Sequence, residues 1–533
     1  MRDNTMHIVE HNTSFSDSLL WKIHRDYYTN AGIKAWRDGD VPHYITNNSA
    51  VAAAYAELIF AFLRDRVRLF PAQKETIYLL ELGTGSGRLA YHLLTRLETL
   101  CEGAAFEVPP FTYIMSDLSA NNIAFWKNHP KLKKFTDKNW LDFAFFDVKC
   151  TTELNLQMQG LTLKKGHLQT PLLVIANYLW DSVPQDLFYI TGRNVYDGET
   201  VLSVPEPHDD TSTPTQLMQQ IEVTYHSKLT DAATRYAEKE LNLLLDHYRQ
   251  NIKDSWVLFP HIAIGCLERL HRLSAEGFLL ISADKGRHQI QDLDDKMPPQ
   301  IIKHAGGFSL NVNFHAIDTY FTAQGALSLT TRQNHQSISI CTLLALKVPE
   351  DYAETKSAFR NQVERFGPDD FFRLKRHFVD NCYDMNLMQM ESCIRLSCFD
   401  TNIFKNLLPC LLYIAEEAKP DEIANFKLLL YEVWNNYYSM GEEGDLAFDI
   451  GSVFYQLCCY QDALFFFGHS LEAHPPDTAV LYNIAGCYYV LKNDEQALKF
   501  IARTFALDPN HKGAASLIES MLKQTQPGVA PGA

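Results

Sequence analysis

The stretch LLELGTGSGRLA, from Leu79 to Ala90, constrains this chain more than any other part of it. An apolar run carries Glu81, three glycines follow at Gly83, Gly85 and Gly87, and a helix-forming sequence begins directly after them. A buried strand that turns into a helix through glycine opens the parallel sheet of an α/β fold, and the missing Cβ atoms let a ligand approach the backbone closely. The bland alternative is a tight turn that needs glycine only for packing. A dinucleotide loop reads G-x-G-x-x-G, whereas the spacing here is G-x-G-x-G with a glutamate two residues ahead.

Further β-rich runs follow at intervals filled by helical patterns: FTYIMSD (111–117), FAFFD (143–147), PLLVIAN (171–177), FLLISAD (278–284) and SISICTLLAL (337–346), after IYLLEL (77–82). Most are continuous apolar stretches, as strands buried on both faces must be. Residues 185–276 interrupt this alternation with a polar stretch, PEPHDDTSTPTQ, and a helical pattern through ATRYAEKELNLLLDHYRQ. An insertion at the carboxyl end of a parallel sheet is expected to wall or cover a substrate site.

Polar residues at the carboxyl ends of the strands are the binding candidates, because ligands of open α/β sheets sit there. Asp117 ends the second strand, where an acid can take both hydroxyls of a ribose. Its alternative is a helix cap, since Ser119 and Asn121 follow in a helix-start context. Asp147 ends the third run and Asn177 the fourth, and Asn177 leads into Tyr178, Leu179, Trp180, Asp181, Ser182, Val183 and Pro184.

After Pro349 the β signal stops and helical patterns take over. Gly451, Phe454, Ala463, Phe467 and Pro475 recur 34 residues later as Ala485, Tyr488, Ala497, Ile501 and Pro509. Small residues at a close helix crossing, an aromatic on the first helix and a proline after the second resemble the tetratricopeptide repeat across residues 444–511. Such modules present concave peptide-binding surfaces, which predicts a protein substrate or partner. The alternative is two unrelated helix pairs.

A formal net charge of -16 argues against a broad nucleic-acid-binding face. The one basic cluster, Lys127, Lys131, Lys133, Lys134 and Lys138, reads as a solvated surface, with a partner patch as the alternative. No apolar run is long enough to span a membrane. Eleven cysteines contain no C-x-x-C pair, and with no signal-peptide pattern at the N-terminus a reduced, cytoplasmic compartment is expected. The adjacent Cys458 and Cys459 fall in a helical pattern and read as packing. No H-E-x-x-H is present and neither His261 nor His271 has ligand spacing, so no metal site is expected.

The glycine spacing with Glu81 resembles an S-adenosylmethionine loop, and the order of the remaining motifs is similar to the MidA-like methyltransferase family over about residues 20–346. That family's N-E-x-x-D-A-x-P is matched by Asn177, Asp181 and Pro184, and its D-Y-G by Asp284 and Gly286. Its Y-Y…G-D-F-x-T resembles Tyr27, Tyr28, Gly39, Asp40 and Thr46, and Asn313 and Phe314 fall in its V-D-F region. The resemblance implies a Rossmann-like class I methyltransferase sheet with a helical insertion, followed by an all-α repeat region. It implies S-adenosyl-L-methionine as cofactor, held by Glu81, Gly83, Gly85, Gly87, Asp117, Asp147 and Asn177, with Asp147 reaching the adenine amine.

Methyl transfer from a sulfonium needs mainly alignment and a place for the acceptor's proton. Asp181 is therefore the first catalytic candidate and Tyr178 the second. The family's glutamate is Tyr178 here, which puts arginine methylation in doubt, because a guanidinium would lose its carboxylate. Besides an enzyme acting on a protein side chain, a catalytically silent cofactor-binding scaffold and a nucleotide- or NAD-binding enzyme stay open. The expected organisation is a methyltransferase domain at 1–349 with its insertion as lid, a helical connection at 350–440, repeats with a capping helix at 441–524, and a disordered tail at 525–533.

Overall fold

A computed structural model describes residues 6–41, 44–205, 213–331 and 337–525. They fall into two compact units, Met1–Phe372 and Arg373–Ala533.

The first unit is built on a seven-stranded sheet: β1 (Ile77–Leu82), β2 (Phe111–Asp117), β3 (Leu141–Phe145), β4 (Leu172–Asn177), β5 (Gly277–Asp284), β6 (Leu327–Thr330) and β7 (Ser339–Leu346). Its order is β3-β2-β1-β4-β5-β7-β6. The strands β1 to β5 run parallel and β7 runs antiparallel to both its neighbours. This is the α/β, Rossmann-like class expected above. Every residue of β1, β2, β5 and β7 is buried, which explains why these runs are apolar without alternation. Side chains of the helices Lys239–Asn251, His261–His271 and Phe314–Thr322 share one core with Leu80, Val174 and Leu280 of the sheet.

Two strands depart from expectation. β6 has only four half-buried residues, too few to leave a periodic signal. β3 begins at Leu141 and ends at Phe145, so Asp147 lies in the turn beyond the strand.

The insertion at 185–276 is helical only in part. Its helices Pro214–Gln220, Lys239–Asn251 and His261–His271 are accompanied by the strands Asp186–Thr191, Asn194–Pro205, Glu222–Thr230 and Asp254–Phe259. These pair with Met6–Ser14 in a five-stranded antiparallel sheet. Burial alternates along the second half of Asn194–Pro205, and Leu202 and Val204 face Phe15, Trp21, Met218 and Phe308. The period-two signal is real but interleaved with polar and glycine residues, so composition alone hides it. Most of the polar stretch, 206–212, lies outside the described residues.

The chain beyond Pro349 still belongs to this unit. Tyr352 stacks on Phe62 at 5.2 Å and its hydroxyl accepts from Arg66 at 3.0 Å. Asp65, wholly buried, accepts from the Thr355 amide at 2.8 Å and hydroxyl at 2.9 Å.

The second unit is helical. Leu446–Gln456 pairs with Tyr460–Ala473, Thr478–Val490 pairs with Asp494–Leu507, and Lys512–Thr525 follows. A Cβ on Gly451 would lie 2.7 Å from the Phe467 ring, so the crossing of the first pair requires a glycine. Ala463, Ala485 and Ala497 are fully buried at equivalent contacts. Cys382 and Cys410 form a disulfide where the sequence, without a C-x-x-C pair, reads as free thiols; Cys458 and Cys459 are free. Residues 526–533, most of the expected tail, lie outside the described residues. Among the described residues no helix is long and apolar enough to cross a membrane.

Candidate functional site

In the order of the main sheet the direction of winding reverses between β1 and β4, which is where an open α/β sheet leaves a crevice. A cavity of about 400 Å³ opens there. It is lined from the carboxyl ends of five strands: Gly83 to Ser86 after β1, Asp117 and Leu118 at β2, Phe146 to Lys149 after β3, Asn177 to Leu179 and Asp181 to Pro184 at β4, and Lys285 after β5.

The glycine loop is shaped by its backbone. Gly83, Gly85 and Gly87 have φ of 61°, 59° and 84°, a left-handed region that side chains disfavour. Gly87 caps the helix Arg88–Glu102 in that conformation. A Cβ on Gly83 would lie 3.1 Å from Leu179 Cδ1, and one on Gly85 would lie 2.8 Å from the Trp36 indole. What stands against the loop here is therefore a pair of side chains, one of them from far upstream.

Asp117 is buried and anchors the loop. Its Oδ2 accepts from the Gly85 amide at 3.1 Å and from Asn122 Nδ2 at 3.1 Å, and its Oδ1 accepts from the Ser119 amide at 2.8 Å. The N-cap of the next helix is Ser119, not Asp117. Burial raises the Asp117 carboxyl, and these donors work against that rise. Glu81 is also buried, and burial pushes its carboxyl up to about 8. The Tyr113 and Thr84 hydroxyls face this carboxyl, while the buried Oδ1 of Asn47 makes no hydrogen bond among the described residues, and both Glu81 and Asn47 line the cavity. Asp147 forms a 2.6 Å ion pair with Arg25. Burial pushes Asp147 up, but the hydrogen bonds from Arg25 and the Lys149 amide outweigh it and hold the carboxyl below its ordinary range.

The β4 end is more crowded. Asn177 Oδ1 accepts from Tyr55 at 3.0 Å and from the Ala283 amide at 3.1 Å, while its Nδ2 donates to the Thr46 carbonyl at 3.4 Å. Tyr178 sits at φ 48°, and burial raises its hydroxyl well above the ordinary value. Asp181 lies in a short 3-10 turn, and its Oδ1 accepts from Ser182 at 2.8 Å. Asp284, at the end of β5, accepts from the Trp180 amide at 3.1 Å and the Asp181 amide at 3.2 Å. Burial raises both carboxyls, Asp284 the more strongly, with the charge of Asp181 adding to its rise. The cavity thus brings together all the sequence-expected residues: Glu81, Gly83, Gly85, Asp117, Asp147, Asn177, Tyr178 and Asp181 line it, while Gly87 shapes its loop from behind.

The other wall comes from segments the sequence reading left without a role. The helix Leu19–Ala31 contributes Trp21, His24, Arg25 and Tyr28, and the hairpin Ile302–His304 with Gly307–Ser309 contributes Ile302, His304 and Phe308. His24 is held as neutral imidazole, burial pushing it down to about 3, and its Nδ1 accepts from the Phe308 amide at 3.1 Å. Among the described residues none in 185–276 lines the cavity. The motif residues Gly286 and Phe314 serve packing instead: a Cβ on Gly286 would come within 2.5 Å of the Phe314 ring.

Comparison with known proteins gives two kinds of match. An uncharacterized ACR superfamily protein from Burkholderia thailandensis aligns in structure with 12% identity and a TM-score of 0.38, covering 64% of this chain and 90% of its own. A candidate methyl transferase from the same organism, bound to S-adenosyl-homocysteine, aligns with 15% identity and a TM-score of 0.38, covering 60% and 74%. The CurJ carbon methyltransferase aligns with 11% identity and a TM-score of 0.24, covering 55% and 54%. No curated protein matches the sequence. In the second unit a tetratricopeptide-repeat family model matches residues 460–521, from the second helix of the first pair to the terminal helix, and this part of the chain is a tetratricopeptide-repeat module.

Proposed function

We propose that the first unit is an S-adenosyl-L-methionine-dependent methyltransferase of MidA-like type that acts on a protein side chain, with the repeats recruiting the substrate. The observation that carries this reading is a cavity floored by a left-handed glycine loop and lined by the buried Glu81 carboxyl and by Asn47, whose buried Oδ1 has no hydrogen-bond partner among the described residues. A buried acceptor without a donor costs about 1–3 kcal/mol, so Asn47 Oδ1 calls for a ligand carrying N–H groups, and the Glu81 carboxyl favours a positive charge beside it. An amino-acid ammonium next to a sulfonium has that chemistry. Asp117 keeps lone-pair capacity for a ribose, and Asp147 with Asn177 bounds the cavity on either side. When bound, the cofactor supplies a methyl group on a good leaving group.

The chain's own residues then position the acceptor and hold its proton. Asp181 is the proton acceptor in this reading: its raised carboxyl is matched to taking a proton near neutral pH. Tyr178 borders the same space, and the Lys285 ammonium lines it where the family motif has tyrosine. A tyrosine for a glutamate and a lysine for a tyrosine make this end of the cavity poor for a guanidinium, and the acceptor in this reading is an uncharged side-chain nucleophile.

Calorimetric titration with S-adenosylmethionine and with NAD tests the cofactor; binding of NAD alone would overturn the assignment. Transfer of labelled methyl into a cell lysate tests the enzyme. Binding without transfer would make the unit a silent scaffold, and label recovered as methylarginine would overturn the reading of Tyr178 and Lys285.

A further inference from the structure

Away from the cavity, three metal-ligating side chains from three separate elements meet. His288 follows the short strand Gly286–Arg287, Asp318 lies on the helix Phe314–Thr322, and Cys341 lies on β7. His288 Nδ1 is 3.4 Å from Asp318 Oδ2, and Cys341 Sγ is 3.1 Å from Asp318 Oδ1. One ligand atom from each of the three lies within 4.8 Å of the others. None of the three lines the cavity described above.

We propose that His288, Asp318 and Cys341 form a tetrahedral site for a zinc-class divalent cation. Metal bonds of about 2.0–2.3 Å set the donors of a tetrahedral site about 3.3–3.8 Å apart. The three ligand atoms lie within 4.8 Å of one another, so closing on an ion draws the widest pair together by about 1 Å. The donor set suits it: thiolate, carboxylate and neutral imidazole sum to a charge that a divalent cation cancels, and mixed sulfur, nitrogen and oxygen ligands favour zinc among common metals. Burial supports the same conclusion. Cys341 is fully buried, and the His288 and Asp318 side chains are 11% and 14% exposed.

Two further observations point to the same place. Ser328, on the strand adjacent to Cys341 and on the same face of the sheet, sets its hydroxyl beside the Cys341 sulfur. An ion held by these three side chains keeps a fourth position for a water. The His288 ring is stacked on Phe314 at 4.9 Å with 4° between the planes, which fixes its direction. On binding, the Cys341 thiol releases its proton to solvent and the sulfur–metal bond forms. The ion would clip β7 and the helix to the segment that begins with Asp284 and Lys285. The ligands are 30 and 23 residues apart, so no short motif announces them.

The test uses the full chain, stripped with chelator and titrated with Co²⁺, then with Zn²⁺. One equivalent of Co²⁺ should give a thiolate charge-transfer band and the intense visible bands of a tetrahedral ion, both lost on adding Zn²⁺, and Zn²⁺ should raise the melting temperature. The Cys341→Ser variant, with every other cysteine in place, should lose the charge-transfer band. His288→Gln, which removes a partly exposed ligand and spares the core, should weaken Co²⁺ binding at least tenfold. A wild type that gives no thiolate band would overturn the proposal, as would a band of equal strength in Cys341→Ser. Should Cys341→Ser fail to fold, unchanged Co²⁺ affinity in His288→Gln would overturn it.

Discussion

The glycine loop of the first unit and the repeat module of the second both depend on glycines with an aromatic ring against them, and for different reasons. A Cβ on Gly85 would lie 2.8 Å from Trp36, and one on Gly451 would lie 2.7 Å from Phe467. Gly451, however, has an ordinary helical backbone, while Gly85 is held at φ 59° and lines a cavity. In the repeats, glycine allows two helices to approach. In the loop it allows a left-handed backbone whose Gly85 amide donates to Asp117 at the edge of the cavity. The same residue type therefore serves helix packing in one region and, in the proposed function, a binding loop in the other, and the conformation of the backbone separates the two.

The comparison breaks most visibly by substitution. Gly83→Val with Gly85→Val forces side chains onto a left-handed backbone and into Leu179 and Trp36. Affinity for S-adenosylmethionine should fall by more than about a hundred-fold. Gly451→Ala should instead cost about 1–3 kcal/mol in the second unit through overpacking, with cofactor affinity unchanged. Calorimetry and thermal melting of both variants read the contrast, and loss of cofactor affinity in Gly451→Ala would erase it.

Asp117 comes next. Asp117→Ala removes the acceptor for the Gly85 amide as well as the proposed ribose contact, and binding should weaken by about 1.5–3 kcal/mol, roughly ten- to hundred-fold. Lower thermal stability with unchanged affinity would leave Asp117 only the role of bracing the loop.

Much of this was legible from the chain itself, and the reasons are local. The strands β1 and β2 were read to the residue because strands buried on both faces leave continuous apolar runs between clear turn signals. The repeats were legible because a fixed offset of 34 survives substitution of like for like. The antiparallel sheet of the insertion was missed because its alternation is interrupted by polar residues. Trp36, Arg25 and Asn47 were missed for another reason: the bond from Arg25 to Asp147 spans 122 positions, and nothing in either neighbourhood shows that such a pair meets. The motif GDVPHYITNN contained Asn47 but gave no ground for choosing it.

Glu81 sharpens the comparison through pH. In the folded, ligand-free unit burial pushes its carboxyl up to about 8 from an ordinary 4.5, so at neutral pH it carries a proton. A cationic cofactor favours the carboxylate, and binding should release that proton. Affinity should rise about three- to tenfold between about pH 6.5 and 7.5, and the heat of binding should depend on the buffer's ionisation enthalpy. Glu81→Gln should flatten both. The sign for stability is the opposite: a carboxyl raised on folding contributes fully below its unfolded value and loses that contribution as pH rises through the folded one. The ligand-free protein should therefore melt lower at about pH 8.5 than at about pH 6, and less so in Glu81→Gln. A pH-independent affinity in the wild type would remove Glu81 from the site.

The smallest effect expected is none. Every residue lining the cavity lies between Trp21 and Ser309, so removing the repeats should leave cofactor affinity within about twofold. The place of the cut decides whether this can be seen. A chain ending at Pro349 loses Tyr352, which is 1% exposed and stacked on Phe62, and strips Asp65 of the Thr355 donors that satisfy it in a wholly buried position. A buried carboxylate left without donors is strongly destabilising, so that chain should melt far below the full protein. A chain ending at Phe372, the edge of the first compact unit, keeps those contacts and should bind S-adenosylmethionine as the full chain does. Side by side, the two truncations separate a need for the repeats from a need for the segment that precedes them. Methyl transfer into lysate protein should then fall in the Phe372 chain although cofactor affinity does not. Equal transfer by both chains would detach the repeats from substrate recruitment and leave them a partner unrelated to the reaction.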